Sequence, residues 1–182
     1  MTVSEEFNLP EVQGVGMPDR WQRLWAPHRM AYLSGENRPL HGNSVECPFC
    51  RAPQLRDEES LIVARGELTY AVLNLYPYNS GHLLICTFRH VAELPDLSAA
   101  ERNEMTAMTS HAMETLKKVS SPGGFNIGMN QGALSGAGVA GHIHQHIIPR
   151  WSGDANFMPL IGGTKVLPRL LEEVRVELSA AW

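Results

Sequence analysis

The sequence predicts an α+β layer fold: one domain with extended termini. Five short apolar runs of strand length are bounded by glycine, proline and asparagine turns. One long segment of helical period interrupts them, between the third and fourth runs. The chain has 182 residues, 43% of them hydrophobic, enough for a single buried core. Antiparallel strands with one long helix between them favour layers of segregated helix and sheet.

In chain order, Met1 to Asp19 carries proline and glycine with little periodicity and reads as a flexible arm. Trp21 to Leu33 places Trp21, Leu24, Trp25 and Tyr32 at helix-like spacing, with Pro27 suited to a first helical turn. Ser34 to Ser44 is loop-like, and Cys47-Pro-Phe-Cys50 follows. Leu61–Ala64 and Thr69–Leu73 read as strands joined by a turn near Gly66. Tyr76 to Gly81 is a turn-rich link, and His82–Thr87 reads as a buried strand. The long helix spans about Ala99 to Val119, opened by Ser98 with Glu101 three residues on, a capping box. Its Met105, Met108, Ala112 and Leu116 share one face and read as core rather than binding surface. Pro122-Gly123-Gly124 stops it. Phe125–Asn130 and His142–Ile148 are two further strands, and Leu167–Leu178 is a second helix.

Composition narrows the function classes. A formal net charge of −4 argues against general binding to nucleic acid or anionic membranes. The first residues are polar and acidic, and no apolar run approaches the roughly 20 residues of a membrane span. A cytoplasmic protein is the expectation. Three cysteines are too few for a disulfide framework.

The most informative segment is His142-Ile-His144-Gln-His146-Ile-Ile148. Side chains alternate faces along a strand, so residues two apart lie on one side, about 6.6–7 Å apart. His142, His144 and His146 therefore line one face, and Ile143, Gln145 and Ile147 the other. Imidazoles this close disfavour one another's protonation, so the row makes sense against an anion or a metal. The loop before it holds Gly132, Gly136, Gly138 and Gly141, which let backbone N–H groups turn toward an anion. A glycine-rich loop directly before three aligned histidines points to a phosphate site.

Cys47-Pro-Phe-Cys50 has the spacing that lets two thiolates hold one Zn²⁺, but it supplies half a shell. A redox pair and an unmetallated loop are the alternatives, the first weakened by the lack of a thioredoxin-like βαβ pattern. Cys86, within His-Leu-Leu-Ile-Cys-Thr, reads as a small buried hydrophobe.

On the triad segment, on Asn74-Leu-Tyr-Pro-Tyr-Asn-Ser-Gly-His82, and on the tail Pro149 to Phe157, the sequence resembles the histidine-triad (HIT) family. The likeness runs from about Cys47 to Trp151, and the tail is similar to a bacterial subgroup that includes actinobacterial diadenosine tetraphosphate phosphorylases. Gln145 stands where an apolar residue is usual, on the face away from the site. The resemblance implies an antiparallel five-stranded sheet with a long helix, and a homodimer with a continuous sheet. It divides the chain into an arm and helical segment over 1–45, the HIT domain over 46–158, and a helical C-terminal tail over 159–182.

It also implies roles. His144 is the nucleophile that forms a nucleotidyl-histidine intermediate on the α-phosphate of an adenine nucleotide or dinucleoside polyphosphate. His146 hydrogen-bonds the phosphate, with His142 completing the triad. Asn74 contacts the ribose, and Asn130 with the backbone around Gly136, Gly138 and Val139 holds the phosphates. His82 matches a histidine near the triad in some members. Zinc-containing members complete the two-cysteine shell with residues matching His90 and His142, giving a closed, structural site. Apart from the resemblance, Trp151 sits just past the triad strand, where it stacks on adenine or packs in the dimer interface, buried structure being the commoner fate of an indole, and Tyr76 and Tyr78 line the loop before Gly81 and shape the base pocket. Some members carry a leaving-group serine where Gly138 and Val139 stand here; Ser135 is the nearest hydroxyl, and that role stays unassigned. The leading reading is diadenosine tetraphosphate phosphorolysis or hydrolysis. A non-catalytic, zinc-stabilised nucleotide-binding module and a metallohydrolase with the histidine row as ligands are the alternatives.

Overall fold

The computed structural model describes residues 47–132, 134–154 and 166–182. The arm, the helical segment Trp21–Leu33 and the loop Ser34–Ser44 lie outside the described residues, as does the stretch 155–165.

Five strands form one antiparallel sheet: β1 (Ile62–Arg65), β2 (Thr69–Leu73), β3 (Leu83–Thr87), β4 (Gly124–Met129) and β5 (His144–Arg150). Their spatial order is β1-β2-β3-β5-β4, so β5 enters between β3 and the edge strand β4. The helices are α1 (Pro48–Arg51), α2 (Asp57–Ser60), α3 (Ala99–Ser120) and α4 (Leu171–Ala181). The α+β class, the five strands and the long helix agree with the sequence reading.

The ends differ by a few residues, for local reasons. β1 starts after Leu61, which takes a left-handed φ of 62° to end α2. β5 starts at His144 rather than His142, because the Ile143 amide donates to Val91 O at 2.7 Å instead of to β3. α4 starts at Leu171 rather than Leu167, beyond Pro168 and an extended Leu170 whose amide donates to the Glu173 carboxylate.

Two cores sandwich the sheet. On one face Ala71, Leu83, Ile85, Ile143 and Ile147 pack against Met105, Ala112 and Leu116 of α3. Burying each large apolar side chain contributes about 1.5–3 kcal/mol. α4 joins this layer through Val174 and Leu178, so the C-terminal segment is docked on the core rather than trailing from it. On the other face Ile62, Tyr70, Val72, Leu84 and Cys86 pack beneath Phe49 and Phe88. Cys86 is buried there as a free thiol.

Polar anchors tie α3 to the sheet. Ser98 and Glu101 form the expected capping box. The same Glu101 carboxylate receives both ends of the Arg89 fork, at 2.8 and 2.7 Å, which holds its pKa down to about 2. Arg89 directly precedes His90, so this pair fixes a loop the site uses. One turn along, the Glu104 carboxylate accepts from the amides of Leu68 and Thr69 and from the Thr69 hydroxyl. A side chain at Gly66 has no room beside it: a Cβ there would lie 2.1 Å from Glu104 Oε1.

Candidate active site and metal centre

β5 places the histidines. Its register pairs His144 with Cys86 and His146 with Leu84, so both imidazoles project from the face opposite α3. Gln145 points the other way and donates to Thr109 Oγ1 on α3 at 3.0 Å, as its place in the alternation predicts. His142 lies before the strand, in a turn, yet its ring stays on the histidine side, because Phe49 touches both His142 and His144.

Each imidazole has a defined role in the hydrogen-bond network. His144 Nδ1 sits 2.8 Å from its neighbour's carbonyl, His142 O. A carbonyl only accepts, so Nδ1 carries the proton and Nε2 of neutral His144 carries the lone pair. Among the described residues no side chain or backbone group bonds that Nε2. Burial lowers the His144 pKa, which keeps the ring neutral near pH 7.

A second chain orders His146. The Tyr78 amide donates to His82 Nδ1 at 3.0 Å, and Asn74 Nδ2 lies 3.4 Å from the same nitrogen. His82 Nδ1 is therefore the acceptor, and its Nε2–H points at His146 Nδ1, 2.9 Å away. That leaves His146 with its proton on Nε2, a buried donor with no partner among the described residues. A buried N–H in that state is costly unless a ligand atom meets it. Burial, then the His144 ring, pushes the His146 pKa down to about 4. The rings of His144 and His146 stand 5.0 Å apart, and Tyr78 lies nearly parallel to His146 at 6.1 Å. A lone pair and an N–H donor side by side are what attack on an anionic phosphorus centre needs.

The remaining expected residues divide clearly. Asn74 and His82 join His146, as described. Asn130 ends the β4 strand region, and Gly136, Gly138 and Val139 are half-buried in the loop that enters β5 at its His144 end. Gly136 adopts φ +86°, a left-handed turn suited to glycine. Ser135 spends its hydroxyl on Gly132 O at 2.8 Å. Trp151 lies on the α3 side: its indole N–H donates to Ser120 O at 3.1 Å, apart from the histidines. Tyr76 is almost fully exposed. Phe49 escaped the sequence reading altogether; its position inside Cys-x-x-Cys, in a segment resting on the triad, was the available signal.

Beside the triad, four side chains converge. His90 Nδ1 is 3.2 Å from Cys50 Sγ, and His142 Nδ1 is 3.4 Å from both Cys47 Sγ and Cys50 Sγ. All four ligand atoms lie within 4.8 Å of one another. His142 Nε2 lies 2.9 Å from Thr87 O, so its proton is spent there and Nδ1 faces the sulfurs as an acceptor. A tetrahedral ion with bonds near 2.3 Å to sulfur and 2.0 Å to nitrogen would set S···N edges of about 3.6 Å, close to these separations. The residues therefore fit a four-coordinate metal. Burial first, then Cys47, raises the Cys50 pKa to about 11, so a metal would have to displace its proton. Among the described residues this is the one such cluster, and neither His144 nor His146 belongs to it.

Comparisons with known proteins bear on this geometry. The family profile of the HIT domain matches residues 56–153, more than half of the chain. The AP-4-A phosphorylase of Mycobacterium tuberculosis is 50% identical over 173 residues, covering 93% of this chain and 89% of its own. The asymmetrical bis(5'-nucleosyl)-tetraphosphatase of Schizosaccharomyces pombe is 35% identical over 95 residues, 52% of each chain. Among solved structures, a Zn-bound histidine triad family protein from Mycobacterium smegmatis has the same fold, with a TM-score of 0.61 at 24% identity, over 76% of this chain and 94% of that one.

Proposed function

The chain belongs to the histidine-triad (HIT) family, and from that premise we propose that it cleaves dinucleoside polyphosphates at an α-phosphate, diadenosine tetraphosphate foremost. His144 Nε2 attacks the α-phosphorus and forms an N–P bond as the P–O bond to the departing nucleotide breaks. His146 Nε2–H donates to a non-bridging oxygen, where charge accumulates. An acceptor then attacks the nucleotidyl-His144 from the other side and releases the second nucleotide. Asn74 meets the ribose, and Asn130 with the loop of Gly136, Gly138 and Val139 cradles the phosphates.

One observation carries this reading: the His142 carbonyl holds His144 with its Nε2 lone pair on the side of the His146 Nε2–H, which has no partner among the described residues. The relative named a phosphorylase supports inorganic phosphate as acceptor, with water as the alternative. Assay of diadenosine tetraphosphate with and without phosphate tests this. ADP plus ATP, dependent on phosphate, is the expected result; AMP plus ATP would assign hydrolysis. Binding without any release of product would favour a non-catalytic module instead.

Cys47, Cys50, His90 and His142 hold zinc, which when bound cross-links the turn before β1 to the loops beside β3 and β5. With all four positions filled by protein, the ion is structural. The proposed division sets the HIT domain over 46–158, with α4 of the following segment packed on its core. The protein works as a homodimer, which the edge position of β4 and its half-exposed Ile127 support. A cytoplasmic setting suits thiols committed to a metal. The net charge of −4 supports a reading without nucleic-acid or anionic-membrane partners. No helix among the described residues is long and apolar enough to cross a membrane.

A further inference from the structure

Two of the contacts that hold the His144 ring originate at the metal centre. The first is edge-on: the His142 carbonyl accepts the His144 Nδ1–H, while the His142 ring offers Nδ1 to the two sulfurs. The second is on the ring face. Phe49, which lies between Cys47 and Cys50 in sequence, places its ring 4.9 Å from His144, tilted by 42°. The same ring meets His142 edge-on at 5.7 Å. The Phe49 carbonyl accepts from the hydroxyl of the buried Tyr70 at 2.6 Å, which ties the backbone of this turn to β2.

We propose that Phe49 is a positioning residue that couples metal loading of the Cys47–Cys50–His90–His142 centre to the competence of His144 as nucleophile. The proposal rests on His144 having that role. α1 is a four-residue turn, far too short to hold its shape by helix formation alone. Tyr70 fixes the Phe49 carbonyl and the ring rests on the core beneath it, while the flanking cysteines set how the turn that carries the ring is held. A metal bound by both cysteines and by His90 and His142 fixes that turn against the loop that carries His142. Phe49 then presses on the His144 ring while the His142 carbonyl fixes its proton. Without the metal, the turn and the His142 backbone both gain freedom, and His144 samples ring orientations and tautomers in which Nε2 no longer presents its lone pair. Loss of zinc would thus slow the chemistry without removing any group that touches substrate.

The test compares wild type, zinc-stripped wild type and Phe49→Leu reloaded to one zinc per chain, all checked for fold by circular dichroism. Two quantities are read: the single-turnover rate of nucleotidyl-His144 formation from diadenosine tetraphosphate, and the ¹⁵N shifts of the His144 ring in the free protein at pH 8. The expected result is a single His144 tautomer, protonated at Nδ1, in zinc-loaded wild type. In both other samples a tautomer mixture and a rate lower by about tenfold are expected, equivalent to about 1.4 kcal/mol of barrier. Equal rates and the same single tautomer in all three would overturn the coupling. Absence of any adduct in zinc-loaded wild type would instead reject His144 as nucleophile, a separate failure.

Discussion

The carbonyl oxygen of His142 lies 2.8 Å from Nδ1 of His144, so the backbone of one triad member sets the tautomer of the next. The bond joins a backbone acceptor to the imidazole it orients. It follows from the turn before β5, where the Ile143 amide leaves the ladder for Val91 O. The order at His146 comes instead from side chains, through His82.

The two histidines therefore differ in how replacement acts. His146→Ala removes the phosphate donor and is expected to lower kcat on diadenosine tetraphosphate by about 10²–10³-fold. His82→Ala removes only the group that fixes the His146 tautomer and should cost about tenfold. The double variant should fall little below His146→Ala, because the two act in series. Steady-state kinetics on the four proteins checks this; fully additive losses would separate His82 from His146.

The pH dependence follows from burial. His146 has a folded pKa of about 4, against about 6.5 in an unfolded chain. Between those values the unfolded chain binds the extra proton. Its contribution to stability is thus complete above pH 6.5 and disappears as pH falls toward 4. Melting temperatures measured from pH 7.5 down to 4.5 should decline, and the decline should be shallower in His146→Gln. With His144 shifted in the same direction, kcat/KM should hold its plateau below pH 6.5. An acid limb centred at or above 6.5 would contradict the buried, neutral rings.

Metal removal should reach stability as well as rate. Cys47→Ser breaks the four-ligand set and leaves the turn before β1 held by hydrogen bonds such as Tyr70 to Phe49 O and Arg65 to Pro53 O, without a metal cross-link. A loss of about 3 kcal/mol, or roughly 10 °C in melting temperature for a chain of this size, is expected together with loss of bound zinc. Elemental analysis and calorimetry measure both.

Gly66 and Glu104 form a structural pair far from the chemistry. Gly66→Ala should cost roughly 2 kcal/mol, because the carboxylate must leave the Leu68 and Thr69 amides to make room. In Glu104→Ala the same glycine change should be nearly free. A denaturant double-mutant cycle reads the difference.

What the sequence made legible tracks how local the determinants are. The Ser98–Glu101 box and the Met105-to-Leu116 stripe depend on spacings of three and four residues, and α3 appears where they place it. Alternation from His142 to Ile147 survives in the structure even though the ladder begins only at His144, because side-chain direction follows the extended backbone. Cys47 and Cys50 were half a metal site by spacing; His90 and His142 entered through family likeness, and their convergence is a tertiary fact. Trp151 shows the opposite case. Lying just past the triad strand, it is open by position to base stacking or to structural packing, and its indole is bonded to the end of α3. Nothing in the local sequence distinguishes those two fates once the strand has ended. Phe49 and Tyr78 come onto the histidines from separate segments, which no spacing rule could connect.

The central claim is that His144 Nε2 takes the nucleotidyl group. Rapid quench of the protein with diadenosine tetraphosphate in the absence of phosphate, followed by peptide mass spectrometry, tests it most directly. The expected result is an adenylyl group on His144, discharged as ADP when phosphate is added and absent from His144→Ala. Undiminished turnover by His144→Ala, or an adenylyl group on another residue, would contradict it.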